Sequence, residues 1–109
     1  MNRKFTETIE DYRLMLLIRR FEEKVLELFK TGKLKGTTHV CIGQEAIPVA
    51  VCRLLKKTDW ITSTHRGHGH FIAKGGDIKR LMSELYGKRS GYCGGRGGSQ
   101  QIFDFNIGF

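Results

Sequence analysis

Apolar residues recur at helical spacing through the first third of the chain. They are Leu14, Leu17, Ile18, Phe21, Val25, Leu28 and Phe29. A spacing of three and four residues places such side chains on one face of an α-helix. Thr8, with Asp11 three positions later, has the pattern of a helix N-cap, and Gly32 suits the residue that follows a helix. We therefore predict a helix from about Thr8 to Lys30.

Residues 14 to 18 are apolar on every side of this predicted helix. A surface helix of a globular protein needs only one apolar face. The run therefore indicates that a partner domain or subunit covers a second face.

Two further segments have helical patterns. The stretch from Gln44 to Leu55 predicts a buried helix with Pro48 in its first turn, where proline is tolerated. Asp77 is a suitable N-cap for the next helix, and Gly87 is suited to close it. The apolar positions of that helix are Ile78, Leu81, Met82 and Leu85.

Between these helices lies a histidine-rich segment, residues 63–70, which we call the histidine turn. It follows Trp60–Thr62, a β-branched and aromatic run that predicts a short strand. A strand that ends in a glycine-containing turn before a helix is suited to bind an anion, because free N–H groups and the helix dipole point at one place. Arg66 adds a guanidinium that matches phosphate oxygens. We interpret the turn as a phosphate site; the alternative is a basic surface turn with solvated or structural histidines.

Composition restricts the class of protein. The chain has 109 residues, 39% of them hydrophobic, which suits one small globular domain. Its net charge of +8 is compatible with an anionic ligand, a nucleic acid or an acidic partner. The three cysteines lack the spacing of a disulfide framework, which favours the cytoplasm. Neither a secretory signal nor an apolar run of ~18 residues is present, so we expect no membrane insertion.

Other chemistry is less specific. His68-Gly69-His70 and His39-Val40-Cys41 are close ligand pairs, but they lack the spacing of a structural zinc site, and we expect no metal bound by this chain alone. Cys41 and Cys93 are either nucleophiles or small packed residues. His39 is either an acid–base catalyst or a packed histidine.

The glycine-rich loop, residues 91–99, matches neither of the common phosphate-binding motifs. It is either a flexible connector or, because of one Arg-Gly-Gly, part of an RNA-binding surface.

Five segments, in this order and at this spacing, resemble one family. They are Tyr12–Glu23, His39–Ala46, Thr64–His70, Leu81–Lys88 and Gly94–Ser99. Together they are similar to the N-terminal part of the α subunit of thiamine-diphosphate-dependent 2-oxo acid dehydrogenases, of the pyruvate and acetoin type. The resemblance implies an incomplete α/β thiamine-diphosphate-binding fold, with residues 1–109 as a single N-terminal portion that is mostly helical with one or two short strands.

The resemblance also implies roles for three residues. Arg66 matches an arginine that contacts the cofactor diphosphate, and His65 stands where tyrosine is usual in that contact. His39 matches a histidine near the substrate, so it is the candidate catalytic residue. The implied cofactors are thiamine diphosphate and Mg²⁺, with the magnesium ligands outside this chain.

The implied reaction decarboxylates a 2-oxo acid such as pyruvate, or cleaves acetoin, and passes the acyl unit to a lipoyl group. The implied partners are the β subunit and a lipoyl-bearing acyltransferase component. We expect the isolated chain to be inactive, because part of the site lies elsewhere. The alternatives are a truncated interaction fragment and a basic nucleic-acid-binding module. Aromatic residues that follow apolar patterns, instead of alternating with Lys and Arg, make nucleic acid the less favoured partner.

Overall fold

A computed structural model describes residues 3–109 of the protein, and these residues are mostly helical. Within this range, four α-helices follow one another: α1 (Arg3–Lys30), α2 (Ala46–Leu54), α3 (His68–Ala73) and α4 (Ile78–Leu85). A short 3-10 turn, Phe105–Ile107, lies near the end. The long α1 packs against both α2 and α3, which also contact each other.

The start of α1 differs from the prediction. Thr8 lies inside the helix, where its hydroxyl donates to the main-chain oxygen of Lys4 at 2.8 Å, so it is not the N-cap. This bond to the carbonyl four residues earlier is the alternative that a threonine inside a helix uses. The predicted end is confirmed: Gly32 has a φ of 72°, and the N–H of Lys33 bonds to the oxygen of Leu28 at 3.0 Å. This is the glycine-closed helix end expected from the sequence.

One face of α1 forms the centre of the core. Ile18, Phe21, Val25 and Leu28 are buried there. They belong to one cluster with buried residues of the other helices and loops: Leu34, Cys41, Val49, Phe71, Ile72, Leu81, Leu85 and Ile102. Burial of each large apolar side chain contributes about 1.5–3 kcal/mol. The core therefore joins α1 to every later helix.

The opposite face of α1 carries a second apolar stripe, made of Phe5, Ile9, Tyr12 and Leu16. Their spacing of four, three and four residues places them on one side of the helix, away from the buried face. All four are exposed, Tyr12 at 65%. We call this surface the α1 stripe.

The prediction that α2 is a buried helix is wrong within the described chain. Pro48 lies in its first turn, as predicted, and Pro48 and Val49 are buried. Ile47, Val51 and Leu54 are exposed, because only one face of α2 meets α1 and α3.

The predicted strand at Trp60–Thr62 is also wrong. Residues 3–109 contain no strand, and this segment is irregular. The N–H of Ile61 donates to the oxygen of Gly108 at 2.9 Å, but one such bond does not make a ladder. A strand needs a neighbouring strand to pair with, and the described residues supply none beside it.

Candidate functional site

The structure brings together the three residues that the sequence singled out. The rings of His39 and His65 meet edge to face, with centroids 4.4 Å apart. A guanidinium nitrogen of Arg66 donates to the main-chain oxygen of Val40, next to His39. Two segments far apart in sequence, 39–40 and 65–66, therefore meet at one place, which we call the His39–Arg66 cluster.

The cluster stands directly before α3. Gly67 is the N-cap of this six-residue helix, and the main-chain N–H of Arg66 bonds to the Thr64 hydroxyl at 3.3 Å. Arg66 and His39 are partly exposed and His65 is exposed. A guanidinium has five N–H donors, and the bond to Val40 uses one of them. The arrangement can offer a cationic fork and imidazole donors to an anion.

His68 has a different position from the other histidines of the turn. It is completely buried, and its Nδ1 atom lies 2.6 Å from Oε1 of Glu22, which is also completely buried. Its Nε2 atom lies 2.9 Å from the hydroxyl of Ser99. The other carboxylate oxygen of Glu22 accepts the main-chain N–H of Cys41 at 2.6 Å. The Glu22–His68 pair joins the middle of α1 to the start of α3.

Sequence reasoning missed Glu22. The signal was its position four residues after Ile18 and three before Val25, which places a charge on the buried face of α1. A carboxylate on such a face must be paired or hydrogen-bonded.

Glu84 was also missed, and it organises the glycine-rich loop. Its buried carboxylate accepts four main-chain N–H groups, from Cys93, Gly95, Gly97 and Gly98. A carboxylate that accepts several N–H bonds holds a chain segment in one conformation. The loop is therefore ordered around Glu84, in contrast to the flexible connector that its composition suggested.

Glu45, at the start of α2, is a third buried carboxylate. Nε of Arg19 lies 2.5 Å from its Oε1, and the main-chain N–H of Gly43 bonds to Oε2 at 3.0 Å. The hydrogen bond from Arg19 holds the pKa of this carboxyl below its usual value. The pair fixes the connection before α2 against α1.

Cys41 does not have the properties of a nucleophile. Burial, reinforced by the nearby charge of Glu22, raises the pKa of its thiol to about 12. The reactive form of cysteine is the thiolate, which this environment disfavours. Burial also raises the pKa of Cys93, whose thiol donates to the oxygen of Gln101 at 3.2 Å.

Among residues 3–109, no group of three or more metal-binding side chains converges on a common point. Over the same range, no helix has both the length and the apolar character needed to cross a bilayer.

Comparisons with known proteins place this geometry in context. A family model described as "Dehydrogenase E1 component" matches residues 12–107. The chain is 54% identical over 97 residues to the α subunit of acetoin:2,6-dichlorophenolindophenol oxidoreductase of Bacillus subtilis (strain 168), an alignment that covers 89% of this chain and 29% of the relative. It is 47% identical over 97 residues to the subunit of the same name of Cupriavidus necator, with the same coverage.

A third relative is the pyruvate dehydrogenase E1 component subunit alpha of Rickettsia prowazekii. It is 43% identical over 98 residues, covering 90% of this chain and 30% of the relative. The chain thus spans less than a third of the length of the curated relatives it matches.

Proposed function

Because this chain belongs to the dehydrogenase E1 component family, we propose that it forms the N-terminal portion of an α subunit in a thiamine-diphosphate-dependent enzyme. The enzyme decarboxylates pyruvate or another small 2-oxo acid, or cleaves acetoin, and transfers the acyl unit to a lipoyl group. Its complete α subunit has an α/β cofactor-binding fold, of which residues 1–109 supply a mostly helical part. The reaction takes place in the cytoplasm.

The observation that carries this proposal is the His39–Arg66 cluster. The chain folds so that an arginine and two histidines from distant segments lie together just before α3. In the proposed site, Arg66 and His65 bind the diphosphate of the cofactor, and His39 faces the substrate. A charge-assisted hydrogen bond to phosphate contributes about 1.5–3 kcal/mol.

The residues present fit the anionic end of the cofactor. Arg66 carries a positive charge, and among the described residues its guanidinium bonds to a main-chain carbonyl, with the exposed His65 beside it. When bound, thiamine diphosphate supplies the electron sink for cleavage next to a carbonyl. The Mg²⁺ that accompanies a diphosphate needs oxygen ligands. We assign those ligands to the remainder of the α subunit, as the family resemblance implies.

The exposed apolar surface supports the proposal that other chains or domains cover this one. The α1 stripe, together with Ile47, Val51 and Leu54 of α2, leaves large side chains in water. Contiguous exposed apolar surface is typical of a surface that another chain or domain covers. We assign it to the remainder of the α subunit and to the β subunit. The lipoyl-bearing acyltransferase component is the further partner.

A segment exchange tests the proposal. Residues 12–107 of this chain replace the matching residues of the Bacillus subtilis acetoin oxidoreductase α subunit, which is expressed with the other subunit of that enzyme. We expect reduction of dichlorophenolindophenol by acetoin that depends on added thiamine diphosphate, and no turnover by the isolated 109-residue chain.

Two outcomes would overturn the proposal. One is an exchanged enzyme that assembles, as gel filtration shows, but has no activity. The other is decarboxylation or acetoin cleavage by the isolated chain at the rate of the assembled enzyme.

A further inference from the structure

Glu22, His68 and Ser99 form a continuous hydrogen-bonded chain that the proposed cofactor site does not use. Oε1 of Glu22 lies 2.6 Å from Nδ1 of His68, and Nε2 of the same ring lies 2.9 Å from the Ser99 hydroxyl. The carboxylate and the imidazole are completely buried, and Ser99 is partly exposed.

One tautomer of His68 gives this chain a single direction of hydrogen bonding. Glu22 accepts the N–H of Cys41 at one oxygen, and with the ring proton on Nδ1 its second oxygen accepts the Nδ1–H of His68. The ring then presents an unprotonated Nε2 to Ser99, and the serine hydroxyl donates to it. Carboxylate, imidazole and hydroxyl in this order form the arrangement that activates a serine as a nucleophile.

Ser99 is also one of the residues that line a cavity. This cavity has a volume of about 260 Å³, and its lining includes Ser99, Lys35 and main chain of Gly97 and Gly98. The Thr38 hydroxyl, 2.9 Å from the Ser99 oxygen, holds that oxygen from the other side. The volume suits a small ligand, and the Lys35 ammonium favours one that is anionic or develops negative charge on oxygen.

We propose that Ser99 is a nucleophile that accepts an acyl group from a small activated ester. The serine oxygen forms a bond to the acyl carbon, and the bond from that carbon to the leaving oxygen breaks. The hydroxyl proton passes to Nε2 of His68 and then to the leaving alkoxide, which departs as the alcohol. Water regenerates the serine and releases the carboxylic acid. Glu22 is a positioning residue: its carboxylate keeps the His68 ring in the tautomer with the proton on Nδ1.

Acylation by 4-nitrophenyl acetate tests the proposal on the 109-residue chain alone, without thiamine diphosphate, metal or a second subunit. The result is therefore independent of the proposed dehydrogenase function. We expect a burst of one nitrophenolate per chain and one acetyl group on Ser99, located by peptide mass spectrometry.

Ser99→Ala should abolish the burst, and Ser90→Ala, which changes an exposed serine, should leave it unaltered. Glu22→Gln and His68→Gln should slow acylation by at least about 100-fold. Circular dichroism identifies any variant that fails to fold. If a Glu22 or His68 variant fails, the comparison of Ser99→Ala with Ser90→Ala still tests whether Ser99 is the nucleophile. An equal burst with Ser99→Ala, or acetyl groups on lysines without one on Ser99, would overturn the proposal.

Discussion

The carboxylate of Glu84 lies 3.0 Å from the main-chain nitrogen of Gly95, although the two residues are eleven positions apart. Three further N–H groups of the loop bond to the same carboxylate. One side chain of α4 thus determines the path of the glycine-rich loop, which ends at Ser99.

Replacement of Glu84 by glutamine should release this loop. Whichever carboxylate oxygen the amide nitrogen replaces, it is a donor that faces two main-chain N–H donors. We expect a loss of about 2 kcal/mol in the free energy of unfolding and faster hydrogen exchange at the four bonded amides. Nuclear magnetic resonance measures the exchange. Glu27→Gln, at an exposed pair with Lys24, is the control, and equal protection in both variants would contradict the assignment.

Two glycines of the loop should respond very differently to alanine. A Cβ at Gly91 would lie 2.5 Å from the Cα of Glu84, whereas a Cβ at Gly94 meets nothing within 4 Å. Gly94 has a φ of 62°, so alanine there costs about 1–2 kcal/mol from backbone strain alone. We expect Gly91→Ala to cost about 3 kcal/mol, because backbone has to move. Urea denaturation compares the two; a larger loss for Gly94→Ala would show that the loop packs differently.

Glu22 should be far more important for stability than its neighbour Glu23. A buried donor that loses its hydrogen-bond acceptor costs about 1–3 kcal/mol. We expect Glu22→Gln to lose about 3 kcal/mol, since it also disturbs the bond from Cys41. Glu23→Gln, which alters an exposed pair with Arg20, should lower the free energy of unfolding by less than about 1 kcal/mol. Thermal unfolding of both variants tests this, and similar losses would contradict the buried position of Glu22.

Cys41 should remain unmodified in the folded chain. Its thiol is 3% exposed and its pKa is raised to about 12, while Cys52 and Cys93 are partly exposed. We expect iodoacetamide at pH 8 to label Cys52 and Cys93 and to reach Cys41 only after unfolding, as peptide mass spectrometry would show. Rapid labelling of Cys41 in the native chain would show that the core around α1 is open.

The same thiol gives a pH dependence with a defined sign. Between its ordinary pKa of 9.0 and about 12, the unfolded chain releases the Cys41 proton and the folded chain retains it. The free energy of unfolding therefore falls as pH rises through this window, by up to about 1.4 kcal/mol per pH unit. In the Cys41→Ala variant, the free energy of unfolding should fall less steeply with pH. Urea titrations from pH 9 to pH 10.5 measure this. Parallel slopes would contradict the burial of the thiol.

Local signals in the sequence predicted three helix ends correctly, although Thr8 is not the N-cap of α1. Asp77 caps α4 as expected, with its side chain accepting the N–H of Arg80, and Gly32 and Gly87 have the positive φ of helix-closing glycines. These features depend on contacts within a few residues, so the sequence contains them. The family was also identified from motifs in register, and the comparisons confirm it.

Features that depend on distant contacts were not predictable in the same way. Trp60–Thr62 has the composition of a strand, but pairing depends on which chain lies beside it. The partners of Glu22 lie 19 and 46 residues away, and those of Glu84 lie 9 to 14 residues away. Only the position of each carboxylate on an apolar helix face indicated that a partner existed. The family resemblance implied roles for His39, His65 and Arg66 in one site, but no local pattern indicated that the rings of His39 and His65 meet.

The most direct test of the proposed cofactor site is the affinity for thiamine diphosphate, in the presence of Mg²⁺, of the enzyme that carries residues 12–107 of this chain. Isothermal titration calorimetry compares the parent with Arg66→Ala and with Arg89→Ala, which removes the same charge from an exposed loop position. The lost phosphate contacts should weaken binding about 10- to 150-fold in Arg66→Ala, with less than about a twofold change in Arg89→Ala. Unchanged affinity in a folded Arg66→Ala enzyme would contradict the assignment of the His39–Arg66 cluster to the cofactor diphosphate.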